Sequence, residues 1–226
     1  MMRLFAGSTR RNLFKAIMHR CRKCIIADRH EKGSQHMVSA ADIQTYISHN
    51  QKVSESLAAH SRQLLAIGAA ACTVIRKGGK LVFFGNGGSA ADAQHLATEM
   101  VCRYKKNRQS IPALALTTNT SLLTATGNDY SFDDIFSRQI ESLVTKRDMV
   151  FAISTSGRSP NVIKGLQTAR KNGAVTVALT SIKDTRISRM SDYAVRIDSD
   201  DTARIQEGHI LVGHIICEII ERTVCG

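Results

Sequence analysis

Residues 80–95 read KLVFFGNGGSAADAQH. Lys80–Phe84 is a short apolar run that ends at Gly85, and from Ala91 the pattern becomes helical. An apolar run bounded by glycine and followed by a helical period is how a buried parallel strand hands over to its crossover helix. The loop between them, Gly85-Asn86-Gly87-Gly88-Ser89-Ala90, formally fits G-x-G-x-x-A, the dinucleotide fingerprint, at the right junction. That reading requires an acidic residue about 20 positions on to bind ribose hydroxyls. Thr117-Thr118-Asn119-Thr120 stands there instead, and no GK[ST] follows to make a Walker loop. What remains is a tight turn that exposes backbone N–H groups and Ser89 at a helix N-terminus, suited to an anionic or polyol ligand.

The same alternation runs outward from this stretch. Ala40–Ile75 carries helix-spaced apolar residues, with an interruption expected near Asn50, and Gly78-Gly79 stops it. Downstream, strands are expected at Pro112–Leu116, Met149–Ile153, Val175–Leu179 and Tyr193–Ile197. Helices are expected at Ala91–Cys102, Phe132–Leu143, Asn161–Lys171, Ile187–Met190 and Ala203–Val224. Strands separated by helices predict an α/β, three-layer, doubly wound fold with a parallel sheet of about five strands and long N- and C-terminal helices. Such sheets bind ligands beyond the carboxyl ends of the strands. The loops after Phe84, Leu116, Ile153 and Leu179 are therefore where chemistry is expected.

After the third strand comes Ser154-Thr155-Ser156-Gly157-Arg158-Ser159-Pro160-Asn161. Four hydroxyls and the backbone amides converge there, Pro160 suits the first turn of the next helix, and the helix N-terminus adds about half a positive charge. This is a phosphate cradle that needs neither metal nor lysine. The plainer alternative is an ordinary loop with Ser159 as N-cap.

His95 and Glu99 are four apart on the helix after the glycine loop and share a face. The last helix offers Gln206, Glu207, His209 and His214. Gln206 and His209 are three apart, and Gln206 and His214 also project to one side, so spacing does not choose between the two histidines. Two helices that each bring a His and an oxygen ligand would make a His₂/Glu/Gln site compatible with zinc.

The 226-residue chain has 31 Lys+Arg, 19 Asp+Glu and a formal charge of +12, which at face value proposes nucleic acid as partner. The charge is uneven. Residues 1–36 hold nine basic side chains against two acidic ones, a net +7, which leaves +5 for the other 190 residues. This segment is read as a basic extension, disordered or non-native, with Met37 as the true start; an interaction arm and a targeting peptide are the other readings. Residues 37–226 then form one domain. No apolar run approaches the ~20 residues of a membrane-spanning helix. Cys21 and Cys24 make a lone CxxC without the second ligand pair of a zinc site. Cys72, Cys102, Cys217 and Cys225 read as small core residues, which fits a reducing cytoplasm.

GNGGSAADAQH at 85–95, TGNDY at 126–130, STSGRSPN at 154–161 and IQEGH at 205–209 together resemble the phosphosugar-binding SIS fold. More narrowly, they resemble the sedoheptulose 7-phosphate (phosphoheptose) isomerases of bacterial heptose biosynthesis. The resemblance spans 37–226 and leaves out 1–36. It implies a flavodoxin-like SIS domain with one zinc per subunit held by His95, Glu99, Gln206 and His214, with His209 left to packing or support. It implies phosphate binding by Ser154, Thr155, Ser156 and Ser159, and sugar contacts from Asn86, Gly87, Gly88, Ser89, Asp129, Thr202 and Gln206. It further implies a cytoplasmic homotetramer, with active sites where subunits meet and with the helix 40–75 and the C-terminal helix at the interface.

The implied reaction is aldose–ketose isomerisation of sedoheptulose 7-phosphate to D-glycero-D-manno-heptose 7-phosphate through an enediol. It is the first step toward the nucleotide-activated heptose of lipopolysaccharide core or another surface glycan. Glu99 is the expected base and His214 its acid/base partner. The competing class is a non-enzymatic SIS protein that binds the bacterial replication initiator. Those relatives lack the residues matching Glu99 and His214, which this chain keeps. A sugar-phosphate-sensing transcription regulator would need a DNA-binding domain, for which 36 residues are too few.

Overall fold

The computed structural model describes residues 38–225; the expectations for 1–36, including the Cys21/Cys24 pair, lie outside the described residues. Two helices come first, α1 (Ala40–Ser56) and α2 (Ser61–Arg76). Five strands follow, β1 (Leu81–Gly85), β2 (Ala113–Ala115), β3 (Met149–Ile153), β4 (Val175–Ser181) and β5 (Tyr193–Ile197). Between and after them lie α3 (Gly88–Val101), α4 (Thr120–Asp129), α5 (Ser137–Leu143), α6 (Pro160–Lys171), α7 (Arg186–Met190) and α8 (Thr202–Val224).

All strand pairs are parallel and the order is β2-β1-β3-β4-β5, the doubly wound arrangement expected. Every residue of β1 and β3 is buried, because helices cover both faces of the sheet. Alternate residues feed two cores. Leu81, Phe83, Phe151 and Leu179 pack with Ile67, Leu96, Val212 and Ile216 of α2, α3 and α8. Val82, Phe84 and Val150 pack with Phe136, Ile140, Val162 and Leu166 on the opposite face. Phe83 stacks on Phe151 at 4.8 Å, and Phe84 meets Phe136 at 5.0 Å.

The structure revises three local expectations. The first helical stretch breaks at Leu57–His60, a single 3₁₀ turn, and not near Asn50. Ser56 and Ser61 bond back to the carbonyls of Val53 and Ala58 there, competing with the helical ladder. Residues 132–143 form a 3₁₀ turn and then α5, because the Ser131 side chain accepts from Asp133 N and starts a separate turn. α4 occupies a stretch to which the sequence pattern assigns no element: its TSLLTATGND sequence is rich in poor helix formers, but Asn119 caps it and Leu123 and Thr126 pack it down. Among the cysteines, Cys72 and Cys217 are buried as expected, whereas Cys102 is exposed and Cys225 only half-buried.

Candidate active site

The order β2-β1-β3-β4-β5 reverses direction between β1 and β3, so the loops leaving these two strands lie side by side at a topological switch point. They are tied to each other. Asn86 Nδ2 donates to Asn161 Oδ1 and Asn161 Nδ2 donates to Asn86 Oδ1, both at 2.9 Å, and Asn161 is buried. Sequence reasoning missed Asn161, which looks like an ordinary first-turn residue of α6.

In the glycine loop, Gly87 has φ +56°, a conformation that favours glycine. A Cβ on Gly88 would stand 2.4 Å from Gln206 Nε2, so the bare backbone makes room for that amide. Ser89 is buried beneath the turn. In the serine loop, Ser154 Oγ accepts from Gly157 N at 3.1 Å and lies 3.3 Å from Ser159 Oγ. Ser159 holds the N-cap position of α6 but makes no side-chain capping bond, so its hydroxyl stays with the loop; Pro160 has no N–H and Val162 N donates to Asn161 Oδ1 at 2.9 Å. That geometry favours the phosphate cradle over the plain N-cap.

Beside the cradle is a cavity of about 200 Å³ lined by Thr155, Ser156, Arg158, Ser181, Lys183, Asp200, Thr202 and Ile205. Thr155, Ser156 and Thr202 were expected there. Arg158 and Lys183 were not, and they add positive charge, with Lys183 held 2.8 Å from Asp200.

α3 and α8 run side by side in the same direction, with Gly88 against Gln206 and Leu96 against Gly213, where a Cβ on Gly213 would come within 2.5 Å of Leu96. This close approach brings His95 and Glu99 to His214. His95 Nε2 lies 2.9 Å from His214 Nε2 and 3.3 Å from Glu99 Oε1, and one ligand atom from each residue falls within a 4.8 Å span. Burial first, and His95 second, depress the His214 pKa, a shift that favours the free lone pair a metal ion needs. Two neutral nitrogens and one carboxylate fit a divalent ion such as zinc.

The other expected residues are distributed as follows. Gln206 precedes His214 by eight residues, about 12 Å along the helix axis, and borders the glycine loop. His209 turns the other way into the core, 3.3 Å from Thr180 O, where burial lowers its pKa to about 4. Asp129 ends α4 exposed, accepting from Asn128 Nδ2 at 2.8 Å. Two neighbours had no sequence signal. Tyr104 places its ring 5.8 Å from that of His214, and burial raises its phenol pKa. Asp92, one turn before His95, has a buried oxygen without a hydrogen-bond partner, and burial raises its carboxyl to about 6.

Comparison with protein-family models matches residues 45–181 to the SIS domain. The chain is 52% identical over 156 residues to the phosphoheptose isomerase of Sulfurimonas denitrificans, covering 69% of this chain and 80% of that one. It is 47% identical over 166 residues to the phosphoheptose isomerase of Aquifex aeolicus, covering 74% and 87%. Among solved structures, a phosphoheptose isomerase from Francisella tularensis superposes with a TM-score of 0.78 at 31% identity, covering 82% of this chain and all of that one.

Proposed function

The chain belongs to the SIS-domain family, among the phosphoheptose isomerases, and from that premise we propose how its residues carry out the isomerisation of sedoheptulose 7-phosphate. The reaction is an intramolecular oxidoreduction that converts the ketose to D-glycero-D-manno-heptose 7-phosphate. The observation that carries the reading is the convergence of Glu99 and His214 from two helices, one of which starts at the ligand loops.

The phosphate is held by Ser154, Thr155, Ser156 and Ser159 at the N-terminus of α6, with Arg158 and Lys183 supplying charge. Asn86, Gly87, Gly88, Ser89, Asp129, Thr202 and Gln206 fix the sugar chain. Glu99 takes a proton from C1 while His214 donates one to the C2 oxygen, giving the enediol. His214 then removes the proton from the C1 hydroxyl, and protonated Glu99 returns its proton to C2. C1 is oxidised, C2 is reduced, and no external electron acceptor is needed. His95, Glu99 and His214 would hold zinc; Gln206, expected as a fourth ligand, has its amide against Gly88 at the glycine loop and serves the sugar instead. The ion supplies electrostatic stabilisation of the developing enediolate.

The assembly is a homotetramer with active sites between subunits. Ile43, Tyr46 and Ile47 of α1 and Leu65 of α2 expose large apolar surface, and Leu57, Leu64, Leu211, Ile215 and Ile219 line an apolar groove of about 460 Å³ next to Leu65. Exposed large apolar side chains beside an apolar groove support an interface there. No helix among the described residues is long and apolar enough to cross a membrane.

The deciding experiment measures bound metal in the purified full chain and follows conversion of sedoheptulose 7-phosphate before and after chelation. Turnover that falls on chelation and returns with zinc is expected. Absence of turnover in the metal-loaded protein would overturn the assignment.

A further inference from the structure

Arg108 and Glu221 form an ion pair inside the protein, Nε to Oε1 at 3.0 Å, with each side chain only 3% exposed. Each partner does more than neutralise the other. Glu221 accepts from three successive backbone amides, Tyr104 N at 3.3 Å, Lys105 N at 3.0 Å and Lys106 N at 3.0 Å. Arg108 donates through Nη2 to Glu99 O at 2.7 Å and through Nη1 to Met100 O at 2.8 Å, two carbonyls in the last turn of α3, the second of which also accepts from Ile111 N at 3.1 Å. The pair therefore grips α3 at the backbone of Glu99. On α8 it starts seven residues beyond His214, on the same face. The amides it holds carry Tyr104, whose ring lies 5.8 Å from the His214 ring at 31°.

A buried ion pair is a poor way to gain stability, because apolar residues of equal volume serve as well or better. What it supplies is directional bonding that apolar packing lacks. We propose that Arg108 and Glu221 are positioning residues that set Glu99 and His214 at their working separation, with Tyr104 as the element that seats the His214 ring. This inference rests on the assignment of proton transfer to Glu99 and His214.

The test uses the full chain carrying Arg108→Met with Glu221→Met, which removes both charges together, and separately Tyr104→Leu. The paired variant is expected to fold and to keep KM for sedoheptulose 7-phosphate. Its kcat and its affinity for zinc, read by competition with a chromophoric chelator, should each fall about tenfold or more. Tyr104→Leu should lower kcat about fivefold or more with KM unchanged. Smaller effects, or a loss shared between kcat and KM, would overturn the proposal, and if the paired variant does not fold, Arg108→Lys, which keeps the charge but loses the fork on Glu99 O and Met100 O, decides by the same kcat, KM and zinc-affinity readings. Glu99→Gln is assayed alongside. An active Glu99→Gln enzyme would overturn the catalytic assignment itself, whereas an inactive one beside an unaffected paired variant overturns only the positioning role.

Discussion

His95 Nε2 and His214 Nε2 lie 2.9 Å apart although 119 residues separate them in the chain. At that distance two neutral imidazoles either share a proton or turn both lone pairs to one cation. The Glu99 carboxylate, 3.3 Å from His95, adds an anionic oxygen that suits the second arrangement.

Glu99→Gln keeps the size and most hydrogen bonds of the side chain but removes its basicity. We expect kcat to fall by roughly 10²–10⁴ with the fold and assembly unchanged. Direct observation of the sugar interconversion by NMR, with sedimentation as the control, checks this. Near-wild-type turnover would remove Glu99 from its role.

Gly157 has φ +60°, and a Cβ there would stand 2.4 Å from Thr185 Cβ. Gly157→Ala is therefore expected to cost roughly 1–3 kcal/mol in denaturant unfolding. It should also displace Ser154 and Ser156, raising KM about tenfold, as loss of one charge-assisted hydrogen bond would. An unchanged KM would show that this loop does not hold the phosphate.

The Asn86–Asn161 amide pair can be isolated with a double-mutant cycle of the two Ala substitutions, measured by denaturant unfolding. A coupling of about 1 kcal/mol is expected, since either single change strands the other amide. Strict additivity would mean that the two loops are not tied by this pair.

Burial lowers the His209 pKa to about 4, below its ordinary 6.5. As pH falls from 6.5 to 4 the unfolded chain takes up a proton that the folded chain refuses. Stability should therefore decline across that window by roughly 3 kcal/mol and gain no further slope from His209 below it. Unfolding of the chelated protein at several pH values, compared with His209→Met, measures the difference. Parallel curves would refute the assignment.

The sheet and both ligand loops could be read from sequence because apolar runs that stop at glycine, followed by helical periods, are local patterns. His95 and Glu99 were visible as an i,i+4 pair, but spacing could not separate His209 from His214. The structure separates them by what each meets, Thr180 O in the core for one and α3 for the other. α4 was hidden because its Thr, Ser and Gly content argues against a helix that packing then imposes. Asn161 and the Arg108–Glu221 pair were hidden for another reason. Their partners are 75 and 113 residues away, and no local period encodes a contact across that distance.

The side-by-side course of α3 and α8, with Gly88 against Gln206 and Gly213 against Leu96, makes the helix turn the unit of length in this site. One residue inserted between Gln206 and His214 would swing His214 about 100° off the face that meets His95. The stretch 206–214 thus accepts a change of side chain far more readily than a change of length. A change of length is absorbed only in the loops, where no side chain has to keep a fixed angle about a helix axis.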